Sequence, residues 1–218
     1  WTDHGEILNS SQVPWGRKEG GFMWAPDCAY KNGTYYFYFP HPSETNWDNS
    51  WKIGVATSCR PAEGFEVKGY IEGMDPLIDP CVFVDDNGQA YIYNGGGGIC
   101  KGGKLKDNMM ELDGLMQPME GLEDFHEATW VHKYNGKYYM LSSGCTGWDP
   151  NIAEIAVADS IMGTWKTIGN PCTGPDADKT FYAQSTYVQP VVGKKNAYIA
   201  MFDRWKKKDL EDSRYVWL

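Results

Sequence analysis

The chain has 218 residues, enough for one large domain or two small ones around a substantial core. Its net charge of −9 argues against a nucleic-acid partner, because phosphate binding needs clustered Lys and Arg. It holds no run of about 18 apolar residues, so no membrane-spanning segment is predicted. Aromatics make up 15% of the chain, which suits both strands and surfaces that stack on sugars. The six cysteines form no CxxC pair, which argues against a zinc site. Cys28 and Cys81 each follow the start of a repeat and read as buried strand residues rather than disulfide partners. The compartment stays open, with secretion or a periplasm favoured over the cytoplasm.

In chain order, Trp1-Thr2-Asp3-His4-Gly5 reads as a lone outer strand. A repeat then begins. Trp24 stands eight residues before Asn32-Gly33, Asp79 before Asn87-Gly88, and Glu127 before Asn135-Gly136. A weaker fourth copy places Gln184 and Ser185 ahead of a Gly193-Lys194 turn. Each Asn-Gly reads as a type I′ hairpin turn, which needs positive φ at both central residues. Tyr-rich strands follow at 34–38, 89–93 and 137–140. Third strands are predicted at 53–58 and 155–160, and fourth strands at 64–69 and 163–169. The stretch from Lys106 to Leu112 reads as a loop with a strand. Lys206-Lys207-Lys208 reads as a solvated turn. Tyr215-Val216-Trp217-Leu218 reads as strand.

The repeat starts at 24, 79, 127 and 184 are 55, 48 and 57 residues apart, the scale of a four-stranded propeller blade. The predicted fold is therefore all-β: a five-bladed β-propeller with most of the first blade absent from this chain. It is read as a single catalytic domain over 1–218, with a blade remnant at 1–10 and blades starting near 22, 77, 125 and 180. Residues opening successive blades converge near one end of the central channel. Asp79 and Glu127 occupy that position, and paired carboxylates are what glycoside hydrolysis requires. Asp79 before Pro80 also reads as a turn residue. Glu127 lies among aromatics, in Phe125-His126-Glu127-Ala128-Thr129-Trp130, where desolvation would raise its pKa.

These segments resemble the family 43 glycoside hydrolases, which are five-bladed propellers. The likeness is carried by Trp24-Ala25-Pro26-Asp27, by Ile78-Asp79-Pro80 with Val82 to Tyr91, by Lys104-Leu105 with Met110 to Gly114, and by Glu127 with His132 to Tyr139. It implies an inverting hydrolase with three carboxylates. Asp79 matches the aspartate that tunes and orients the acid, and Glu127 matches the general acid. The base aspartate belongs to the family's first blade, and nothing here matches it. Up to about Ser143 the chain looks like the β-xylosidase and α-L-arabinofuranosidase members. From Gly144 it looks like the exo-β-1,3-galactanase branch, through Gly144 to Asn151, Ala183-Gln184-Ser185-Thr186, Asp203-Arg204-Trp205 and Asp212 to Leu218. In that branch a glutamine is thought to position the water, and Gln184 matches it. An inverting pair should stand roughly 6.5–9.5 Å apart to admit a water.

Lesser candidates are substrate-binding. Trp24 could stack on a sugar or sit in the core. Thr146 and Trp148 match the galactanase branch's pocket loop, and Arg204 could hydrogen-bond sugar hydroxyls. Asp27 reads as a structural partner. The Gly95 to Gly98 run lacks the Lys-Ser/Thr and helix of a phosphate loop. The expected partner is an oligo- or polysaccharide, with a second chain completing the propeller as a further reading. No cofactor is required. The resemblance leaves room for a structural calcium, although none of His4, His41, His126 and His132 matches the family's calcium histidine. The rival readings are a sugar-binding propeller without catalysis, or an inactive fragment without a base.

Overall fold

In the computed structural model, residues 2–17, 23–43, 51–74, 78–96, 99–122, 126–206 and 209–217 are described. They are all-β, apart from short 3₁₀ segments at Ser10–Gln12 and Ala177–Tyr182. The chain divides into two compact units. One comprises residues 1–94 and 101–117, the other 95–100 and 118–218.

In the first unit, β1 (Asp27–Lys31), β2 (Thr34–Pro42), β3 (Trp51–Ser58) and β4 (Glu66–Tyr70) form one antiparallel sheet in sequence order. Asn32 and Gly33 have φ of 51° and 82° and join Lys31 to Thr34, the expected type I′ turn. Strand alternation sends Ala29 inward and leaves Cys28 exposed, so the expectation of a buried Cys28 fails. Cys81 is buried as expected.

The next sheet runs β5 (Pro80–Val84), β6 (Ala90–Asn94), β7 (Lys101–Lys104) and β8 (Gln117–Pro118). Its first turn differs from expectation. Gly88 has a φ of 81° but Asn87 is not left-handed. The Gly88 N–H bonds the Asp85 carbonyl at 2.8 Å, and the Asp85 N–H bonds the Gln89 carbonyl at 2.9 Å. This is a longer type I-like turn, so the strand starts at Ala90 rather than Gln89. Between Lys106 and Leu112 there is no strand, only turns closed by a Leu105–Leu112 bridge. Met109, with a φ of 63°, breaks any ladder there.

The core of this unit gathers Tyr38, Ile53, Val55, Ile71, Met74, Ile92, Leu105 and Met109, all buried. The Tyr38 hydroxyl donates to the Met109 carbonyl at 2.8 Å. Asp27 accepts the Val82 N–H at 2.6 Å, tying β1 to β5, as its structural reading expects. The predicted strand at the N-terminus is not formed over Thr2–Gly5. There Asp3 accepts the Gly5 N–H at 2.8 Å, and Gly5 takes a φ of 78°, an Asx turn that competes with a ladder. Trp1 lies outside the described residues, as do Gly97, Gly98, Phe125, Lys207, Lys208 and Leu218.

In the second unit, β9 (His126–Tyr134), β10 (Lys137–Gly144), β11 (Ala153–Ala158) and β12 (Lys166–Gly169) form a sheet in sequence order. Asn135 and Gly136, with φ of 49° and 76°, make a second type I′ turn. A three-stranded sheet follows: β13 (Gln184–Pro190), β14 (Tyr198–Lys206) and β15 (Asp209–Trp217). Its first connection is wider than the Gly193-Lys194 turn expected. Pro190 pairs with Tyr198, and Val191 N–H bonds the Ala197 carbonyl at 2.9 Å. Leu141, Ala153, Ala183 and Phe202 form a small buried cluster.

Candidate active site

Glu127 is the second residue of β9, next to a bulge. Trp130 pairs with Leu141, but Glu127 pairs with Ser143, so Ala128 and Thr129 oppose Ser142 alone. Ala128 takes a φ of 51°, a left-handed backbone costing about 1–2 kcal/mol outside glycine. Such bulges re-aim a side chain. Gln184 opens β13 opposite Asp203. Its Nε2 donates to Glu127 Oε1 at 3.0 Å and to Ser143 Oγ at 2.9 Å. Ser143 Oγ also makes a long bond, 3.5 Å, to the Glu127 carbonyl. Gln184 thus links the Glu127 carboxyl of β9 to the Ser143 hydroxyl of β10.

Burial pushes the Glu127 carboxyl above its ordinary range, while the Gln184 amide and the Cys145 thiol pull it partly back. A carboxyl held protonated at higher pH can donate a proton. Asp203, beside Gln184 in the ladder, is pushed by burial to about 6. His126, buried next to Glu127, bonds Ser142 Oγ at 2.9 Å through Nδ1.

Glu127, Ser143 and Gln184 line a cavity of about 180 Å³ with Trp148, Asn151 and Tyr182. This lies below the ~300 Å³ at which ordinary ligand sites begin. Trp148 is 45% exposed on a loop that Asn151 knits together. Asn151 Oδ1 accepts the Gly144 N–H at 3.1 Å. Its Nδ2 donates to the Gly144 carbonyl and to Thr146 Oγ1, each at 2.6 Å. Thr146 in turn donates to the Asp149 carbonyl at 2.6 Å, so its hydroxyl works inside the loop. The Arg204 guanidinium lies 5.4 Å from the Tyr182 ring, whose hydroxyl donates to Asp176 Oδ1 at 3.1 Å. Thr180, Phe181 and Tyr182 all have left-handed φ, an uncommon run that turns the chain into Gln184.

The structure therefore brings Glu127, Gln184 and Trp148 to one cavity. Glu127 and Gln184 are in direct hydrogen-bond contact. At 3.0 Å they touch, and the same Gln184 amide nitrogen also donates to the Ser143 hydroxyl. Asp79 and Trp24 lie in the first unit. Asp79 is half-buried just before β5, with a φ of 51°. The Trp24 ring stacks on Trp51 at 4.8 Å. Ser143, Asn151 and Tyr182 escape the sequence reading. Ser143 comes opposite Glu127 only through the bulge, which regular counting from the Asn135-Gly136 turn does not reveal. Among the described residues no three His, Cys, Asp or Glu side chains gather as a metal site. Among them also, no helix is long and apolar enough to cross a membrane.

The profile of Glycosyl hydrolases family 43 matches residues 1–200. The chain is 35% identical over 193 residues to xylosidase/arabinosidase 43A of Humicola insolens, covering 65% of this chain and 56% of that protein. It is 30% identical over 237 residues to a β-xylosidase of Xylanibacter ruminicola, covering 88% of this chain and 64% of that one. The chain thus spans a little over half of these relatives. Among solved structures, the exo-β-1,3-galactanase of Clostridium thermocellum superposes with a TM-score of 0.84 at 25% identity, over 98% of this chain and 49% of that one. A family 43 β-1,3-galactosidase bound to galactodeoxynojirimycin gives 0.81 at 27%, over 95% and 76%. No comparison supports a second chain completing the fold.

Proposed function

Since the chain belongs to glycosyl hydrolase family 43, we propose that it is a glycosidase that releases terminal sugars from plant cell-wall polysaccharide, arabinoxylan side chains or β-1,3-galactan. The four sheets are its blades, within the single five-bladed catalytic domain that the family's architecture calls for. The observation that carries the reading is the Glu127 carboxyl, half-buried in a small cavity and bonded by Gln184. A cavity of about 180 Å³ suits one sugar unit and hence action at chain ends.

Glu127 is the general acid that protonates the leaving oxygen, with inversion at the anomeric carbon. Asp79 modulates that acid. Trp148 offers a ring to the sugar face, and Arg204, Trp24 and Thr146 bear on binding directly or through their loops. Gln184 acts through its N–H, which aims the acid and lets it ionise less reluctantly. A second reading has Gln184 position the attacking water, favoured by the likeness to the two galactan-directed structures. That role requires the 3.0 Å bond to open when sugar enters. Structural calcium takes no part in these steps.

The test is p-nitrophenol release from the β-xyloside, α-L-arabinofuranoside and β-galactoside, with a β-1,3-galactan digest alongside. Turnover of at least one substrate is expected, with Glu127→Gln keeping sugar binding and losing most activity where the leaving oxygen needs protonation, as in the galactan digest, and less on the activated p-nitrophenyl glycosides. A folded chain that binds sugar and turns over none of them would make it a binding propeller.

A further inference from the structure

Gly95 is buried directly after β6, yet its own backbone is not left-handed, so conformation does not call for glycine there. Space does. A Cβ on Gly95 would stand 2.9 Å from Thr129 Cγ2, 3.0 Å from Glu127 Cα and 3.2 Å from the Glu127 carbonyl carbon. The last two are backbone atoms and cannot rotate aside. Gly96 follows with a φ of 126°, and its N–H donates to the His126 carbonyl at 2.8 Å. Two consecutive residues of β9, His126 and Glu127, thus rest on two consecutive glycines. The bulge at Ala128 and Thr129 interrupts the ladder just beyond them, so strand pairing holds this end weakly.

We propose that Gly95 and Gly96 form a backbone seat that fixes where Glu127 stands, making Gly95 a positioning residue for the acid. This rests on the acid reading of Glu127 above. These two glycines thus have a purpose other than phosphate binding. Gln184 aims the carboxyl from the side-chain end, and Gly95 sets the Cα it hangs from. Displacing a reacting group by about 1 Å costs up to roughly 100-fold in rate, so a methyl that moves Glu127 by tenths of an ångström should cost about 10-fold.

Leaving-group dependence separates misplacement of the acid from general damage. A 2,4-dinitrophenyl glycoside departs without protonation, whereas a phenyl glycoside needs it. Both are made on the sugar that the p-nitrophenyl screen identifies. In Gly95→Ala, kcat for the phenyl glycoside should fall about 10-fold while the dinitrophenyl rate holds within about 2-fold, with KM little changed. Glu127→Gln should show the same selectivity, larger. Should Gly95→Ala not fold, the double variant Gly95→Ala/Thr129→Ser removes the Cγ2 contact and leaves the two backbone ones, and it should show the same selective loss. Equal losses on both substrates, or none, beside a selective Glu127→Gln, overturn the seat. A Glu127→Gln that slows both substrates alike, or an unsubstituted chain without turnover, overturns the acid reading and the seat with it.

Discussion

One hydrogen bond of 3.0 Å joins Gln184 to Glu127, and its sign fixes a pH prediction. An amide N–H stabilises the ionised carboxyl, so it lowers a pKa that burial has raised. A general acid works protonated, and kcat declines as pH climbs through its pKa. Gln184→Leu removes the donor but keeps the space filled and apolar. The alkaline limb of kcat should therefore move to higher pH, with a plateau loss of about 10-fold from poorer aim. A pH–rate profile on the best p-nitrophenyl glycoside measures this. A limb that stays or moves down would contradict the aiming role, and complete loss at every pH would favour the water-positioning one. Glu127 is legible in the sequence because its aromatic flanks predict desolvation. Ser143 is not. Counting pairs back from the Asn135-Gly136 turn puts Gly144 opposite Glu127, and only the bulge substitutes Ser143.

Loops between strands decide what the carboxyl can meet. Residues 144–151 form one such element, closed by three side-chain bonds of Asn151. Each such bond is worth about 1 kcal/mol net, and losing the set leaves polar groups to re-pair with water. Asn151→Ala should cost about 1–3 kcal/mol in urea melts. Because the loop carries Trp148 and not Glu127, KM should rise several-fold more than kcat falls. Steady-state kinetics showing the reverse would place the loop's role in the chemistry. Strands with Tyr-rich or β-branched runs are legible from the Asn-Gly turns. β7, Lys-Gly-Gly-Lys, and the two-residue β8 have no such pattern, and pairing with their neighbours alone makes them strands. The turn at Asn87-Gly88 misleads because Asp85 and Asp86 before it extend the loop.

At the scale of the whole chain, each compact unit has among its described residues an aspartate that desolvation pushes to about 6: Asp27 in the first and Asp203 in the second. In the unfolded chain both return to near 3.8. A folded pKa above the unfolded one means the native state binds the proton more tightly. The resulting stability is complete below about pH 4 and disappears as pH rises through about 6. A rise from 3.8 to about 6 corresponds to at most about 2–3 kcal/mol per group. Glu66 and Glu111 pull the other way, since Lys68 and Lys106 hold them below their ordinary range. They are exposed and their pairs are screened, so they leave the slope to the buried groups. Net negative charge also destabilises as pH rises, but that contribution hardly changes with one substitution. Melting temperature should therefore fall from about pH 5 to pH 7. Asp27→Asn and Asp203→Asn should each flatten that fall, because an amide keeps the acceptor oxygen and does not ionise. For Asp27 that oxygen still receives the Val82 N–H. If both variants kept the slope of the unsubstituted chain, neither carboxyl would be protonated in the native state, and the burial that sets Asp203 beside Gln184 would have to be re-read as hydration.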